Sequence, residues 1–167
     1  MQEVSIIQEN VKGIVTTTTN TPTYGLPVRL VISKINVDTN ILPMGLTSLG
    51  NMQAPKTNKD SGWYKYGPHP GNEGSAVIAG HLGVGSAAVF ADLILLVKGD
   101  MISVTDDRSQ TVSFVVTDTH SYDHDSEQSE VFTSSAGSHL NLITCNGDWD
   151  SNIKTYAKRL VVFTDRV

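Results

Sequence analysis

Three residues that end or open apolar runs carry side chains suited to covalent catalysis: His81, Cys145 and Arg159. Cys145 is the only cysteine in the chain, so no internal disulfide forms. A lone thiol is either a small buried hydrophobe or a nucleophile with a histidine within reach. Its place in the sequence points to the second. Residues 140–145 (LNLITC) form an apolar run that stops at Asn146-Gly147, a turn signal, so Cys145 is expected at the rim of a sheet. Strand alternation sets Asn141, Ile143 and Cys145 on one face and Leu140, Leu142 and Thr144 on the other. A structural cysteine has no need of a rim, whereas a nucleophile must sit where substrate reaches it. Arg159 opens the next apolar run. If the two runs pair antiparallel, Arg159 starts level with the place where Cys145 ends, and its guanidinium offers charged donors to an oxyanion as it forms. His81 follows the run 75–79 (SAVIA) and Gly80, and supplies a general acid and base. Taken singly, the three read as a turn histidine, a strand-edge cation and an inert core thiol. Together they describe a site built from several strand ends.

The elements that must position them are mostly strands. Residues 28–32 and 35–38 are short β-branched runs, 75–79 is a continuous apolar strand, and 101–105 and 111–117 flank the turn 106–109 as a hairpin. Residues 140–145 and 159–163 complete the set. Apolar spacing over 87–97 predicts a short helix that stops at Lys98-Gly99. Residues 42–74, 119–138 and 146–158 read as connections, the second with one helical turn near 130–134. Many short strands with few helices predict a mainly β fold, a closed barrel or a sandwich. Residues 1–26 form an N-terminal linker-like segment, polar and Thr-rich from residue 9, which is expected to follow an upstream segment. Residues 27–167 form one domain, with no internal repeat.

Composition narrows the partners. The net charge is −5 and no Lys/Arg cluster occurs, which argues against nucleic acid and against direct electrostatic binding to anionic lipid. No apolar run approaches the ~20 residues that span a bilayer, and no secretory signal is visible. Asp123-x-Asp125-x-Glu127 has the alternate oxygen spacing of a calcium loop without the sharpening Gly or the closing Glu, so a solvated acidic loop is the competing reading. The histidines nearby have no second cysteine with which to form a zinc site.

Several segments resemble the sortase family. Residues 76–81 (AVIAGH) are similar to the stretch that ends in the family's catalytic histidine. Residues 142–145 (LITC) resemble the end of the signature Thr-Leu-x-Thr-Cys, with Asn141 in place of its first Thr. Arg159 matches the arginine that begins the final strand. Pro27-Val28-Arg29-Leu30, the run from Gly62-Trp63-Tyr64 through Pro70-Gly71, and Val89-Phe90, Leu93 and Gly99-Asp100 are similar in order, the second notably to class F and related sortases. The resemblance covers residues 27–164. It implies a closed barrel of about eight strands with one or two short helices. It also implies cleavage of a Leu-Pro-x-Thr-Gly-type sorting signal between Thr and Gly, with transfer of the acyl group from a cysteine thioester to an amine on a cell-wall precursor or pilin. The implied roles are nucleophile for Cys145, acid and base for His81 and oxyanion stabiliser for Arg159. Thr144 matches the family's threonine before the nucleophile and is expected to contact substrate or help the oxyanion site. Ala79 and Ile143, by strand parity with His81 and Cys145, are expected to line the groove, with ordinary barrel core as the competing reading. No cofactor is implied. The expected location is the extracytoplasmic face of the bacterial membrane, reached through an anchor upstream of this chain.

Two enzyme alternatives fit poorly. An L,D-transpeptidase places Gly before its cysteine, where Thr144 stands, and a papain-like protease has cysteine before histidine in the chain. The alternative of another class is a non-catalytic β-barrel binding module with an inert buried Cys145.

Overall fold

Eight strands close into one barrel in the order β1-β2-β3-β4-β7-β8-β6-β5. They are β1 (Pro27–Ile32), β2 (Val37–Met44), β3 (Ser61–Tyr64), β4 (Gly74–Ala79), β5 (Met101–Asp106), β6 (Thr111–Asp123), β7 (Ser138–Asp150) and β8 (Thr155–Arg166). Among the described residues, one helical turn, α1 (Ser129–Phe132), and two 3-10 turns accompany the strands. The computed structural model describes residues 23–83, 87–133 and 135–167. Most of the N-terminal segment 1–26 therefore lies outside the described residues.

Alternation builds the interior. Ile102 and Val104 of β5, Val112, Phe114 and Val116 of β6, Leu140 and Leu142 of β7, and Leu160 and Val162 of β8 all point into the barrel. β4 is apolar on both faces because it is covered on both. Ala76 and Ile78 face the barrel, while Val77 joins Val131 and Val161 in a smaller cluster on the outside of the sheet. That outer cluster is where the site lies.

Four sequence expectations change. Residues 42–74 contain the second half of β2 and all of β3, which pair parallel from Ile41↔Ser61 to Met44↔Tyr64. Residues 87–97 form turns and a 3-10 segment (Leu93–Leu95) instead of an α-helix. The buried positions are Phe90, Leu93 and Leu96, a spacing of three that suits the tighter helix, while Ile94, Leu95 and Val97 face solvent. β6 continues to Asp123 through polar residues because β8 pairs with it there. Finally, 146–158 is the far half of a long β7–β8 hairpin.

Residues just ahead of Pro27 are also fastened to the barrel. Tyr24 lies in the main core, and the Gly25 amide donates to Asp106 Oδ2 at 2.7 Å. Asp106 accepts further amides from Arg108 (2.9 Å) and Gln110 (2.8 Å), and it is 5% exposed. Burial pushes its carboxyl up, but the backbone donors of Gly25, Gln110 and Arg108 outweigh this, and its pKa is lowered. Stability from this knot is therefore present above the unfolded aspartate range, about 3.9, and lost as pH falls through the lower folded value. Asp106→Ala strands these amides and should cost about 1–3 kcal/mol by urea denaturation at neutral pH. The deficit relative to wild type should shrink as the medium is acidified below that range. A deficit that is the same at every pH would contradict the ionised knot.

Candidate active site

Register brings the three residues to one level. β4 runs parallel to β7, with Ala79 opposite Ile143. Past the end of β4, the Gly80 amide still donates to the Ile143 carbonyl (3.1 Å), and Thr144 Oγ1 donates to the Gly80 carbonyl (2.8 Å). His81, the next residue, thus comes level with Cys145. On the other side of β7, Cys145 pairs directly with Arg159 of β8 in an antiparallel ladder. The end of β4 and the adjacent strands β7 and β8 therefore bring the backbone positions of His81, Cys145 and Arg159 to one level, with Cys145 half-buried.

Gly80 is needed for this arrangement. A Cβ there would lie 2.6 Å from side-chain atoms of both Phe90 and Val89. The close approach lets the Phe90 amide donate to the His81 carbonyl at 3.0 Å. The Arg159 guanidinium is braced by its own strand: Nη1 donates to the Tyr156 and Lys158 carbonyls (3.0 and 2.9 Å) and Nη2 to Thr155 Oγ1 (3.0 Å). Of the five N–H donors of an arginine, these use three, and among the described residues the other two have no partner.

The floor beside Cys145 is the outer cluster. Ile143 and Phe163 pack against Val77, Val131 and Val161, together with Met52, Tyr64 and Tyr122. α1 is tied to this floor by Asn141, whose Nδ2 donates to the Val131 carbonyl at 2.8 Å and which is 2% exposed. Tyr122 bonds Glu130 of α1, and burial together with that carboxylate pushes its phenol up to about 12. Sequence alone marked Asn141 as a departure from the signature. Its partner could not be foreseen, because α1 lies in a connection of no clear period. Asn141→Ala should leave the Val131 carbonyl without its donor and cost about 1–3 kcal/mol. Amide exchange in α1 should quicken, and an unchanged exchange rate there would show that the tether is not needed.

Cys145 is not the last residue of its strand. The β7–β8 ribbon continues beyond it through an irregularity between Asn146 and Trp149. It is pinned by Trp149 against Tyr156 (ring centroids 5.3 Å), and Tyr156 Oη donates to the Gly83 carbonyl at 3.2 Å. The site is a rim only of β4, which ends at Ala79. The Thr144 side chain turns into the barrel, is 4% exposed and donates to the Gly80 carbonyl. Ile143 and half-buried Ala79 are on the outer face with Cys145. Asp123, Asp125 and Glu127 do not converge. Among the described residues no group of three or more His, Cys, Asp or Glu side chains is placed to hold a metal, and Asp123 pairs with Lys158 at 2.9 Å. His139 pairs with Asp165 at the opposite end of β7.

A model of the sortase domain matches residues 30–167. The chain belongs to the sortase family. Its activity is that of a sorting-signal transpeptidase, the family's function. Sortase C-1 from Actinomyces oris is 25% identical, with 84% of this sortase and 74% of that chain covered and a TM-score of 0.67. Sortase C2 of Group B Streptococcus Pilus Island 1 is also 25% identical, over 84% and 73% of the two chains, with a TM-score of 0.64. A lid mutant of sortase A from Corynebacterium diphtheriae shares the fold at 21% identity and a TM-score of 0.66, over 86% and 71% of the chains. No curated protein is similar enough to match. The class F affinity of the run from residue 62 to 71 has no counterpart among these three neighbours, which are class C and class A sortases by name. Among the described residues, no helix of this sortase is long and apolar enough to cross a membrane.

Proposed function

We propose that Cys145 is the nucleophile, His81 the general acid and base, and Arg159 the oxyanion stabiliser of this sortase. The observation that carries the reading is the register: Cys145 faces Arg159 across the ladder, and the Gly80–Ile143 and Thr144–Gly80 bonds bring His81 alongside. The Cys145 sulfur attacks the Thr carbonyl of a Leu-Pro-x-Thr-Gly-type peptide. The two uncommitted N–H groups of Arg159 take the negative charge on the oxygen. The intermediate collapses as the C–N bond breaks, and His81 gives a proton to the departing glycine amine. An acceptor amine then attacks the thioester, His81 removes its proton, and the thiolate leaves. The cycle consumes no redox equivalent and needs no metal, since every proton and charge is handled by these three side chains.

Ile143 and Ala79 line the groove on this reading, and Thr144 acts through β7 by locking it to Gly80. The acceptor is an amine of a cell-wall precursor or a pilin, and the enzyme works at the extracytoplasmic face of the membrane. The catalytic domain spans residues 27–167, with Tyr24 to Leu26 as its lead-in.

The test is a quenched fluorescent Leu-Pro-x-Thr-Gly peptide incubated with the protein, with and without a glycine-based amine. An amine-linked product by mass spectrometry is expected, with slow hydrolysis when no amine is supplied. An intact peptide together with a native Cys145 that resists iodoacetamide would instead make this an inert barrel. Ready alkylation with an intact peptide would retain the nucleophile and reject the sorting motif.

A further inference from the structure

His81 makes a contact that the chemistry above does not use. Its Nε2 lies 2.6 Å from the carbonyl oxygen of Pro55, in the connection between β2 and β3. A carbonyl oxygen only accepts, so this bond requires the proton on Nε2. Among the described residues Nδ1 makes no hydrogen bond. Pro55 is buried, and its ring fixes φ, which leaves ψ as the one soft backbone dihedral that orients its carbonyl. The connection around it is fastened at several points. The Gln53 amide donates to the Gly45 carbonyl (2.9 Å), the Gly45 amide to Gln53 Oε1 (3.2 Å), and the Val89 amide to the Asn58 carbonyl (2.8 Å). Gly62 of β3 leaves room for it. A Cβ at that position would meet Met44 Cγ and would lie 3.0 Å from Pro55 Cγ.

We propose that the Pro55 main-chain carbonyl is the orienting partner of the His81 imidazole, the part a carboxylate plays in a Cys–His–Asp arrangement, and that Gly62 is the positioning residue that keeps Pro55 seated. The inference rests on His81 being the acid and base. Its consequence is a division of labour between the ring nitrogens. Nε2–H stays bonded to Pro55 throughout, and Nδ1 alone exchanges protons. Nδ1–H of the imidazolium protonates the glycine amine as the C–N bond breaks. The neutral Nδ1 then takes one proton from the incoming amine as the C–S bond breaks, so the cycle closes without net change.

The tautomer is read directly by 15N NMR of the His81 ring in Cys145→Ala protein, at a pH where the imidazole is neutral. The expected form carries its proton on Nε2. In Gly62→Ala, where Met44 must move and Pro55 must give by a few tenths of an ångström, and in Pro55→Gly, where φ is released, both tautomers should appear in that background. In the Cys145 enzyme the same two changes should lower kcat about tenfold with KM changed less than twofold, because misaligned catalytic groups slow chemistry more than binding. Thermal unfolding checks that each variant is folded, and if Gly62→Ala is not, Pro55→Gly decides. A dominant Nδ1–H form in Cys145→Ala protein, or wild-type kcat and ring signals in the folded variants, overturns the proposal. Full activity in His81→Gln would instead remove the acid–base reading on which it rests.

Discussion

Cys145→Ala is expected to lower peptide cleavage by at least about 10⁴-fold while leaving the barrel folded. The chain holds no second thiol that could replace it. What remains in the variant is binding and the Arg159 donors, which alone give only a small fraction of covalent catalysis. Stability should hardly change, because the side chain is half-buried on the outer face and lies outside both apolar clusters. The pair of measurements matters more than either alone. Lost turnover with an unchanged melting temperature assigns chemistry to the thiol. Lost turnover with a large drop in melting temperature would assign it a packing role, and retained turnover would remove it from the mechanism.

Arg159→Ala should reduce kcat by about 10²–10³-fold, the usual cost of one oxyanion donor. The Tyr156 and Lys158 carbonyls and Thr155 hold the guanidinium in place before substrate arrives, so little reorganisation accompanies the developing charge. Arg159→Lys should not restore the rate. An ammonium is a point charge on a flexible stem and cannot satisfy these strand acceptors and an oxyanion in one planar fork. Alkylation of Cys145 by iodoacetamide passes through no acyl oxyanion and should continue in both variants. If alkylation stops along with turnover, Arg159 acts on the thiol or on the strand instead of on the intermediate.

Much of this site could be read from residue order. The antiparallel pairing of the runs holding Cys145 and Arg159 followed from their placing about a polar connection, and alternation correctly put Ile143 with Cys145 and Thr144 opposite. Which face was the barrel interior could not be read, because β7 is apolar on both sides: Leu140 and Leu142 fill the barrel while Ile143 packs outside. Ile143 therefore lies on the outer surface of the sheet, while Thr144 bonds Gly80 on the other face. The second half of β2 was hidden by Pro43, whose missing N–H argues against a strand. It is tolerated because β1 pairs only as far as Asn40, so this half of β2 needs bonds on one side alone. β3 was missed because its four residues pair parallel with a distant strand, which leaves no local turn signal. The long polar hairpin beyond Cys145 looked like a loop since no core lies beneath it to demand alternation.

The parallel pairing of β4 with β7 has a consequence for how the enzyme is born. The hydroxyl of Thr144 reaches a carbonyl 64 positions earlier in the chain, and every β4–β7 pair spans a similar separation. The β5–β6 and β7–β8 hairpins close locally and can form early, whereas this seam is a non-local contact that forms slowly. The order expected in a newly made chain is that Cys145 and Arg159 face each other before His81 joins them. During refolding, recovery of turnover should lag behind formation of the two hairpins and coincide with closure of the barrel.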